Sequence, residues 1–390
     1  MSELPQRLRD AGTSPYAVVS PVQARTRGVF LDDHGRIAWN QDEFGVYELP
    51  PLGPLHGASE ICAVESPLGF SCRWKTTVFR SDESAPAGVV WLSAAELMTQ
   101  WRSGQALVEP SAMRALYSQL LGHPIAHGVW NVPMRTQTLP PATHTNGYIV
   151  GGGAGLLIDP GGARPDEIES VVAFVRQWVV RNGELAAIWL THHHMDHVSG
   201  ATPLSQRLEL PIWAHEETAS RVSFPIDRVV VGGDRFGAWQ AIHTPGHAPG
   251  HLCLWHADRK LLMAGDMIAS VGTIVIDPSD GDMQSYLTSL RQLRDLGPRV
   301  LYPAHGEPIL NTVQRLDGYI GHRLWREAQI VSVLTHTAQS LETITQMAYT
   351  DVPEALHWLA ERQALAHLNM LMETGRARCV DDQWSTSPDA

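Results

Sequence analysis

A loop crowded with metal-ligand side chains lies near the middle of the chain, directly after an apolar run. The run Ala186–Leu190 is typical of a buried strand, and residues 191–200, THHHMDHVSG, follow it at once. Four of these residues fit the pattern H-x-H-x-D-H: His192, His194, Asp196 and His197. Alternate side chains of extended backbone point the same way, so the H-x-H pair faces one ion, and the D-H pair after a turn can face a second. Imidazole and carboxylate donors together suit zinc, with iron or manganese as alternatives.

Three further donors follow other apolar runs, far away in the sequence. The run AWQAIHTP leads to His247, KLLMAG leads to Asp266, and RVLYPA leads to His305. A catalytic metal site has three protein ligands and an open position, so we expect donors beyond a single cluster. If these runs are strands of packed sheets, their ends gather at one edge. The sequence therefore predicts a metal centre assembled from distant segments.

The rest of the chain alternates strand-like and helical patterns and divides into three parts. With 390 residues, 44% of them apolar and 18% charged, it is too long for one ordinary core and has a globular composition. Residues 1–122 form an α/β domain, with helical patterns over 93–102 and 111–121. Residues 123–312 alternate short apolar runs with a helix that stops at Asn182-Gly183. Residues 313–390 are mainly helical and end in a short hairpin.

Charge and cysteine content exclude several classes of function. The net charge of -12 argues against a general nucleic-acid or acidic-membrane surface, which needs clustered Lys and Arg. The four cysteines are scattered, without a C-x-x-C pair or disulfide spacing, which suits a reducing cytoplasm. The chain contains no uncharged apolar run of about 18 residues and no signal-peptide core. We expect a cytoplasmic protein that acts on a small molecule and not on a membrane.

The motifs THHHMDHVSG, TPGHAPGH, AGD and PAHGEP together resemble those of the metallo-β-lactamase-fold hydrolases, over roughly residues 124–310. The resemblance implies an α/β fold, the αββα sandwich, with two Zn²⁺ per chain. It also implies a ligand assignment. The first metal is bound by His192, His194 and His247, the second by Asp196, His197 and His305, and Asp266 bridges the two.

The resemblance further implies a hydrolytic mechanism. Two ions about 3.5–4 Å apart lower the pKa of a shared water, and the resulting bridging hydroxide attacks the substrate. Asp196 is in addition the candidate catalytic residue that relays a proton. Three residues are expected to surround the ligands without binding metal themselves: Asp159, His193 and His251. Asn146 and Tyr148 are expected to shape the hairpin beside the site.

Two neighbouring subgroups bear on the substrate. The histidine loop is similar to that of the hydroxyacylglutathione hydrolases (glyoxalase II), although the basic glutathione-binding tail of that family is not evident. The segments GHRLWREAQI and QALAHLNMLMETGRARC resemble the C-terminal winged-helix-like region of the β-lactamase-like-protein-2 subgroup, which includes endoribonucleases and thioester hydrolases. The implied reaction is cleavage of a small ester or thioester, such as an acyl-CoA-like or hydroxyacyl thioester.

The N-terminal part resembles a Nudix domain in the segments ARTRGVFLDDHGRIAWNQDEFGVYELP and GVVWLSAAELMTQW. Between Pro51 and Arg80 it lacks the Nudix box, whose helix carboxylates hold magnesium. We therefore expect a Nudix-like remnant that is not catalytic. It would contribute to substrate binding or to formation of a homodimer.

Three other functions stay open as alternatives. A metal-dependent endoribonuclease or phosphodiesterase needs a basic track beside the metals, for which Arg323, Arg326 and Arg376 are the candidates. A mononuclear iron dioxygenase of the persulfide type shares the resemblance, but the complete second-metal set argues against it. A non-enzymatic scaffold has little reason to keep all the ligands.

Overall fold

The computed structural model describes residues 124–138, 144–151, 154–270 and 272–387, together with residues 97, 121 and 142 and seven N-terminal strands. The N-terminal strands are β1 (Val22–Phe30), β2 (Ile37–Gln41), β3 (Val46–Glu48), β4 (Ser59–Glu65), β5 (Arg73–Ser81), β6 (Val90–Leu92) and β7 (Leu107–Val108). They pair in the orders β1-β5-β4 and β6-β2-β3-β7. The helices predicted over 93–102 and 111–121 lie, apart from Leu97 and Leu121, outside the described residues, and the Nudix resemblance stays a prediction.

Two sheets make up the middle of the molecule. The first comprises β8 (Pro124–Ala126), β9 (Val129–Met134), β10 (Thr145–Val150), β11 (Gly155–Ile158), β12 (Leu185–Trp189), β13 (Ile212–Ala214) and β14 (Arg228–Val229), paired in sequence order. The second comprises β15 (Arg235–Phe236), β16 (Trp239–His243), β17 (Leu252–His256), β18 (Leu261–Gly265) and β19 (Val300–Pro303), also in sequence order. The hairpin expected beside the site, which contains Asn146 and Tyr148, is the antiparallel pair β10-β11. Strand β12 then runs parallel to β11, as a strand-helix-strand passage requires.

Eight helices accompany these sheets within the described residues. They are α1 (Pro165–Asn182), α2 (Met195–Val198), α3 (Ala201–Leu208), α4 (Glu216–Ala219), α5 (Met283–Asp295), α6 (Thr312–Val333), α7 (Leu341–Ala348) and α8 (His357–Glu373), with a 3-10 turn at Glu354–Leu356. Helix α1 begins with a proline and carries two acidic residues in its first turn, where the helix dipole favours negative charge. It ends at Asn182 with Gly183 as its C-cap, at the predicted stop.

The layers are visible in three apolar cores. One core joins the two sheets face to face and includes Tyr148, Trp189, Leu254 and Tyr302, together with Leu97 from the N-terminal part. A second lies between the first sheet and helices α1 and α3, and a third lies between the second sheet and helices α5, α6 and α8. Strands that pack on both faces read as continuous apolar runs, because neither face meets water. The predicted αββα sandwich is confirmed.

The C-terminal part has a core of its own. Helices α6, α7 and α8 bury Ile330, Ile344 and Leu368 against Trp384 of a small sheet. That sheet has the order β20-β22-β21, formed by β20 (Gln339–Ser340), β22 (Gln383–Thr386) and β21 (Ala377–Val380). The predicted short hairpin is the pair β21-β22, which turns at Asp381 and Asp382 with positive φ at both. Among the described helices, none is long and apolar enough to cross a membrane.

The histidine loop is fastened to the end of β11 by close backbone contacts. The Gly200 amide donates to the Pro160 carbonyl at 2.9 Å, and helix α2 lies directly on Gly161. A Cβ atom at Gly161 would overlap the carbonyl oxygen of Asp196. Only glycine therefore allows this approach, and the position of the loop depends on it.

We expect Gly161→Ala to lower the free energy of unfolding by about 3 kcal/mol, because two backbone segments must separate. Chemical denaturation followed by circular dichroism measures the change. Gly318→Ala is the matched control, since Gly318 lies exposed in helix α6 with open space at its Cβ position. That change should raise stability by up to about 1 kcal/mol. Wild-type stability in Gly161→Ala would contradict the described packing.

Candidate metal centre

The predicted ligands all lie at one edge of the two sheets. His192 follows β12, His194 immediately precedes helix α2, and Asp196 and His197 lie within that helix. The remaining three come from the loop after β16, the end of β18 and the end of β19: His247, Asp266 and His305. Their ligand atoms form three overlapping groups in which all atoms lie within 4.8 Å of one another. The sheet packing thus brings together donors that are more than 100 positions apart in sequence.

We call His192, His194 and His247 the first set. The Nε2 atoms of His192 and His247 each lie 3.0 Å from Nδ1 of His194. The outward nitrogen of each ring has an acceptor. His247 Nδ1 lies 2.8 Å from the Val275 carbonyl, and His194 Nε2 lies 2.9 Å from Oδ2 of Asp280.

These outer contacts fix where the protons are. A carbonyl or carboxylate oxygen only accepts, so the facing nitrogens of His247 and His194 carry protons. Thr191 donates its hydroxyl proton to Asp159 at 2.6 Å and accepts from Nδ1 of His192 at 2.9 Å. When each ring carries only this outward proton, all three inward nitrogens present lone pairs to one another. Lone pairs at this separation repel unless a cation lies between them, so the donor set fits a metal ion.

We call Asp196, His197 and His305 the second set. Nε2 of His305 lies 3.4 Å from Oδ2 of Asp196, and Nε2 of His197 lies 3.9 Å from Oδ1 of the same carboxylate. The His197 ring is completely buried. Its Nε2 atom has no hydrogen-bond partner among the described residues, as expected for a ligand atom.

Asp266 lies between the two sets. Its Oδ2 is 3.6 Å from Nε2 of His247 in the first set and 3.5 Å from Nε2 of His197 in the second. Its Oδ1 is 3.3 Å from Nε2 of His305 and has no hydrogen-bond partner in the described part of the chain. A carboxylate at this position can reach an ion in either set, which suits the predicted bridging role.

The electrostatics of the two sets differ. Burial lowers the pKa of His192 far below its usual value and that of His247 to about 4, so both rings are neutral. Burial also lowers the pKa of His305, but the carboxylates of Asp266 and Asp196 outweigh it and raise the pKa to about 9. Protons on the second set balance the buried carboxylates when no ion is bound. Metal uptake there must release protons.

Two of the three predicted surrounding residues support ligands directly. Asp159, almost fully buried and with a φ of 43°, accepts from the Thr191 amide at 2.7 Å and lies 2.9 Å from Nδ1 of His197. It therefore orients His197 directly and His192 through Thr191. Nε2 of His251 accepts from the Asp266 amide at 3.1 Å, which holds the backbone of the bridging carboxylate.

His193 is not a member of either set, and its ring centroid lies 4.8 Å from that of His194. Its Nε2 lies 3.1 Å from Oδ2 of Asp280, the same oxygen that faces His194. Asp280 therefore joins the two histidines, and its other oxygen lies 3.5 Å from Nε of Arg221. Asp280 could not be predicted from the sequence, because the turn DPSDGD offers three acidic residues and no pattern that selects one.

The edge that carries His305 is fixed by strand β10. Asn146 donates from Nδ2 to the Gly306 carbonyl at 2.6 Å, and Tyr148 donates from its hydroxyl to the Pro303 carbonyl at 2.7 Å. The Asn146 amide also donates to the Ala304 carbonyl at 2.7 Å. Asn146 and Tyr148 thus shape the loop of the candidate ligand His305 as well as the hairpin that contains them.

The candidate basic track of a nuclease is not available. Arg323 and Arg326 are each 2% exposed; Arg323 binds the Ile274 carbonyl, and Arg326 binds the Asp351 carboxylate. Arg376 is paired with Glu327. None of the three candidates presents a free guanidinium beside the histidines.

Comparison with known proteins agrees with this architecture. Residues 140–305 match the family described as "Metallo-beta-lactamase superfamily", and residues 340–384 match the "Beta-lactamase associated winged helix domain". A solved structure, a metallo-β-lactamase family protein from Thermus thermophilus, is similar in fold. Its TM-score is 0.55 at 21% identity, and the match covers 67% of this chain and 100% of that one.

Two curated relatives are more similar in sequence. The "Atrochrysone carboxyl ACP thioesterase" of Aspergillus fumigatus is 30% identical over 205 residues, which cover 51% of this chain and 62% of that protein. The "Beta-lactamase-like protein 2 homolog" of Caenorhabditis elegans is 31% identical over 239 residues, which cover 59% of this chain and 77% of that protein. From the shared fold, the matched domains and this relative, the chain belongs to the metallo-β-lactamase superfamily.

Proposed function

We propose that the protein is a dinuclear metallohydrolase that cleaves a small ester or thioester. The observation that carries this proposal is the convergence of two three-residue donor sets on one carboxylate, Asp266. A mononuclear site needs only one of these sets. The name of the Aspergillus fumigatus relative, a thioesterase, supports a thioester as the substrate.

The first set would hold one ion and the second set the other. Bound ions supply a water molecule of lowered pKa and polarise the carbonyl oxygen of the substrate. Nitrogen and carboxylate donors without a thiolate favour zinc, with iron or manganese as alternatives. The protein's own contribution is to keep the inward nitrogens free of protons. The Val275 carbonyl and the Asp280 carboxylate accept the outward protons of His247 and His194, and Asp159 acts on His192 through Thr191.

Asp196 is the residue we propose to move a proton. Its side chain is 17% exposed, whereas those of His197 and Asp266 are 0% and 9% exposed. It therefore reaches both the buried donors and the solvent side of the site. One of its oxygens can accept a proton on the solvent side of the site while the carboxylate stays beside His305.

We assign the three parts of the chain to different tasks. Residues 123–312 would form the catalytic domain, and residues 313–390 would cover one side of it. Residues 1–122 would serve substrate binding or formation of a homodimer. Metal-dependent RNA cleavage is retained as an outcome of the test below.

A substrate panel tests the reaction class. The purified protein should hydrolyse acyl-CoA and hydroxyacyl thioesters, or the related esters and lactones, and a chelator should abolish the activity. Re-addition of Zn²⁺ should restore it. Single-stranded RNA serves as the competing substrate, and oxygen consumption with persulfides is measured in parallel. Chelator-sensitive RNA cleavage without thioester or ester cleavage would contradict the proposal, and so would oxygen uptake with one bound iron.

The Asp266→Ala variant tests the bridging carboxylate. It should reduce the metal content from about two ions towards one or none, and turnover by orders of magnitude, because both sets lose a shared ligand. Metal content is measured by plasma mass spectrometry after gel filtration. Asp258→Ala, which changes an exposed aspartate away from the site, is the control and should match the wild type. Full metal content and full rate in Asp266→Ala would exclude the bridge.

A further inference from the structure

A short loop segment supplies outer acceptors to two ligands of the first set. This orienting segment, residues 274–280, presents the Val275 carbonyl to Nδ1 of His247 at 2.8 Å and the Asp280 carboxylate to Nε2 of His194 at 2.9 Å. It lies between β18 and helix α5 and contains no helix or strand. Something outside the segment must therefore hold it in position.

Helix α8, in the C-terminal part, holds the peptide group next to His247. Oε1 of Gln363 accepts from the Ile276 amide at 3.3 Å, and Nε2 of Gln363 donates to the Ile276 carbonyl at 2.9 Å. The Ile276 N–H and the Val275 C=O belong to one planar trans peptide and point in opposite directions. When Gln363 binds the N–H, the carbonyl is directed at His247.

Two arginines strengthen this attachment. Arg323 of helix α6 donates to the Ile274 carbonyl and, at 3.0 Å, to Oε1 of Gln363. Arg362 forms a two-point ion pair with Asp277 through its Nε and Nη2 atoms. Three side chains from the C-terminal helices thus contact the segment at positions 274, 276 and 277.

We propose that the C-terminal helices set the geometry of the first set, with Gln363 and Arg362 as positioning residues that act through the orienting segment. This inference rests on the proposed function, because it requires the first set to bind an ion. Neither residue touches a ligand, and each would act by keeping an acceptor in place. The second set has its own supports, Asp159 for His197 and the His144 carbonyl, 3.3 Å from Nδ1 of His305.

The Gln363→Met variant tests the proposal, since it keeps the side-chain length and removes the hydrogen bonds. We expect the ion of the first set to bind about tenfold more weakly, at the lower end of the effect of an outer partner on metal affinity. The ion of the second set should be unaffected. Competition with a chromophoric chelator, using the full chain and Zn²⁺ alone, yields both dissociation constants.

A double-mutant cycle shows whether the effect passes through His247. In a His247→Ala background, Gln363→Met should change the affinity less than about twofold, because the orienting contact is already gone. Arg376→Ala is the control within the same helical region, since it breaks the ion pair with Glu327, which does not touch the segment. It should leave both dissociation constants unchanged.

Thermal melting of the metal-free variants separates misfolding from misplacement. If Gln363→Met melts far below the wild type, the two dissociation constants are measured instead for Arg362→Ala by the same titration. Arg362 has a side chain that is 46% exposed, so its replacement is less disruptive to the fold. A folded variant with wild-type dissociation constants at both sets would overturn the inference while the proposed function stands. A wild-type chain that binds no ion would instead overturn the proposed function.

Discussion

The structure of the site depends on three imidazole nitrogens that face one another without protons between them. The rings of His192, His194 and His247 converge, and the outward nitrogen of each ring faces an oxygen that can accept its proton. Such an arrangement is unfavourable by itself and becomes favourable when a cation takes up the three lone pairs. The outward hydrogen bonds therefore matter as much as the ligands, since they fix the tautomers.

The outward acceptors come from different parts of the fold. Asp159 lies at the end of β11 with a positive φ. Its carboxylate accepts hydrogen bonds from the Thr191 amide and hydroxyl and lies 2.9 Å from Nδ1 of His197. Val275 and Asp280 belong to a loop that the C-terminal helices hold. Packing of the first sheet thus governs one side of the centre, and packing of the C-terminal part governs the other. If the centre binds metal as proposed, packing between layers is a condition for that binding.

The convergence of the candidate ligands could be predicted from the sequence, because His192, His247, Asp266 and His305 follow apolar runs, and strand ends of packed sheets meet at one edge. Helix α1 could also be predicted from the sequence, since a proline and an Asn-Gly pair mark its limits. Asp280, the Val275 carbonyl and Gln363 could not be found, because their roles depend on the conformation of an irregular loop and on contacts across 87 positions of sequence. Arg323 and Arg326, the candidates for a basic track, are buried because helices α7 and α8 cover that side of α6. Helical spacing alone does not tell which polar face will be covered.

The most direct measurement is anomalous diffraction from crystals of the wild-type protein grown with Zn²⁺. We expect two anomalous peaks about 3.5–4 Å apart, one between His192, His194 and His247 and the other between Asp196, His197 and His305, with Asp266 in contact with both. A single peak at either set would contradict the dinuclear centre. The absence of any peak at the seven residues would contradict metal binding there altogether.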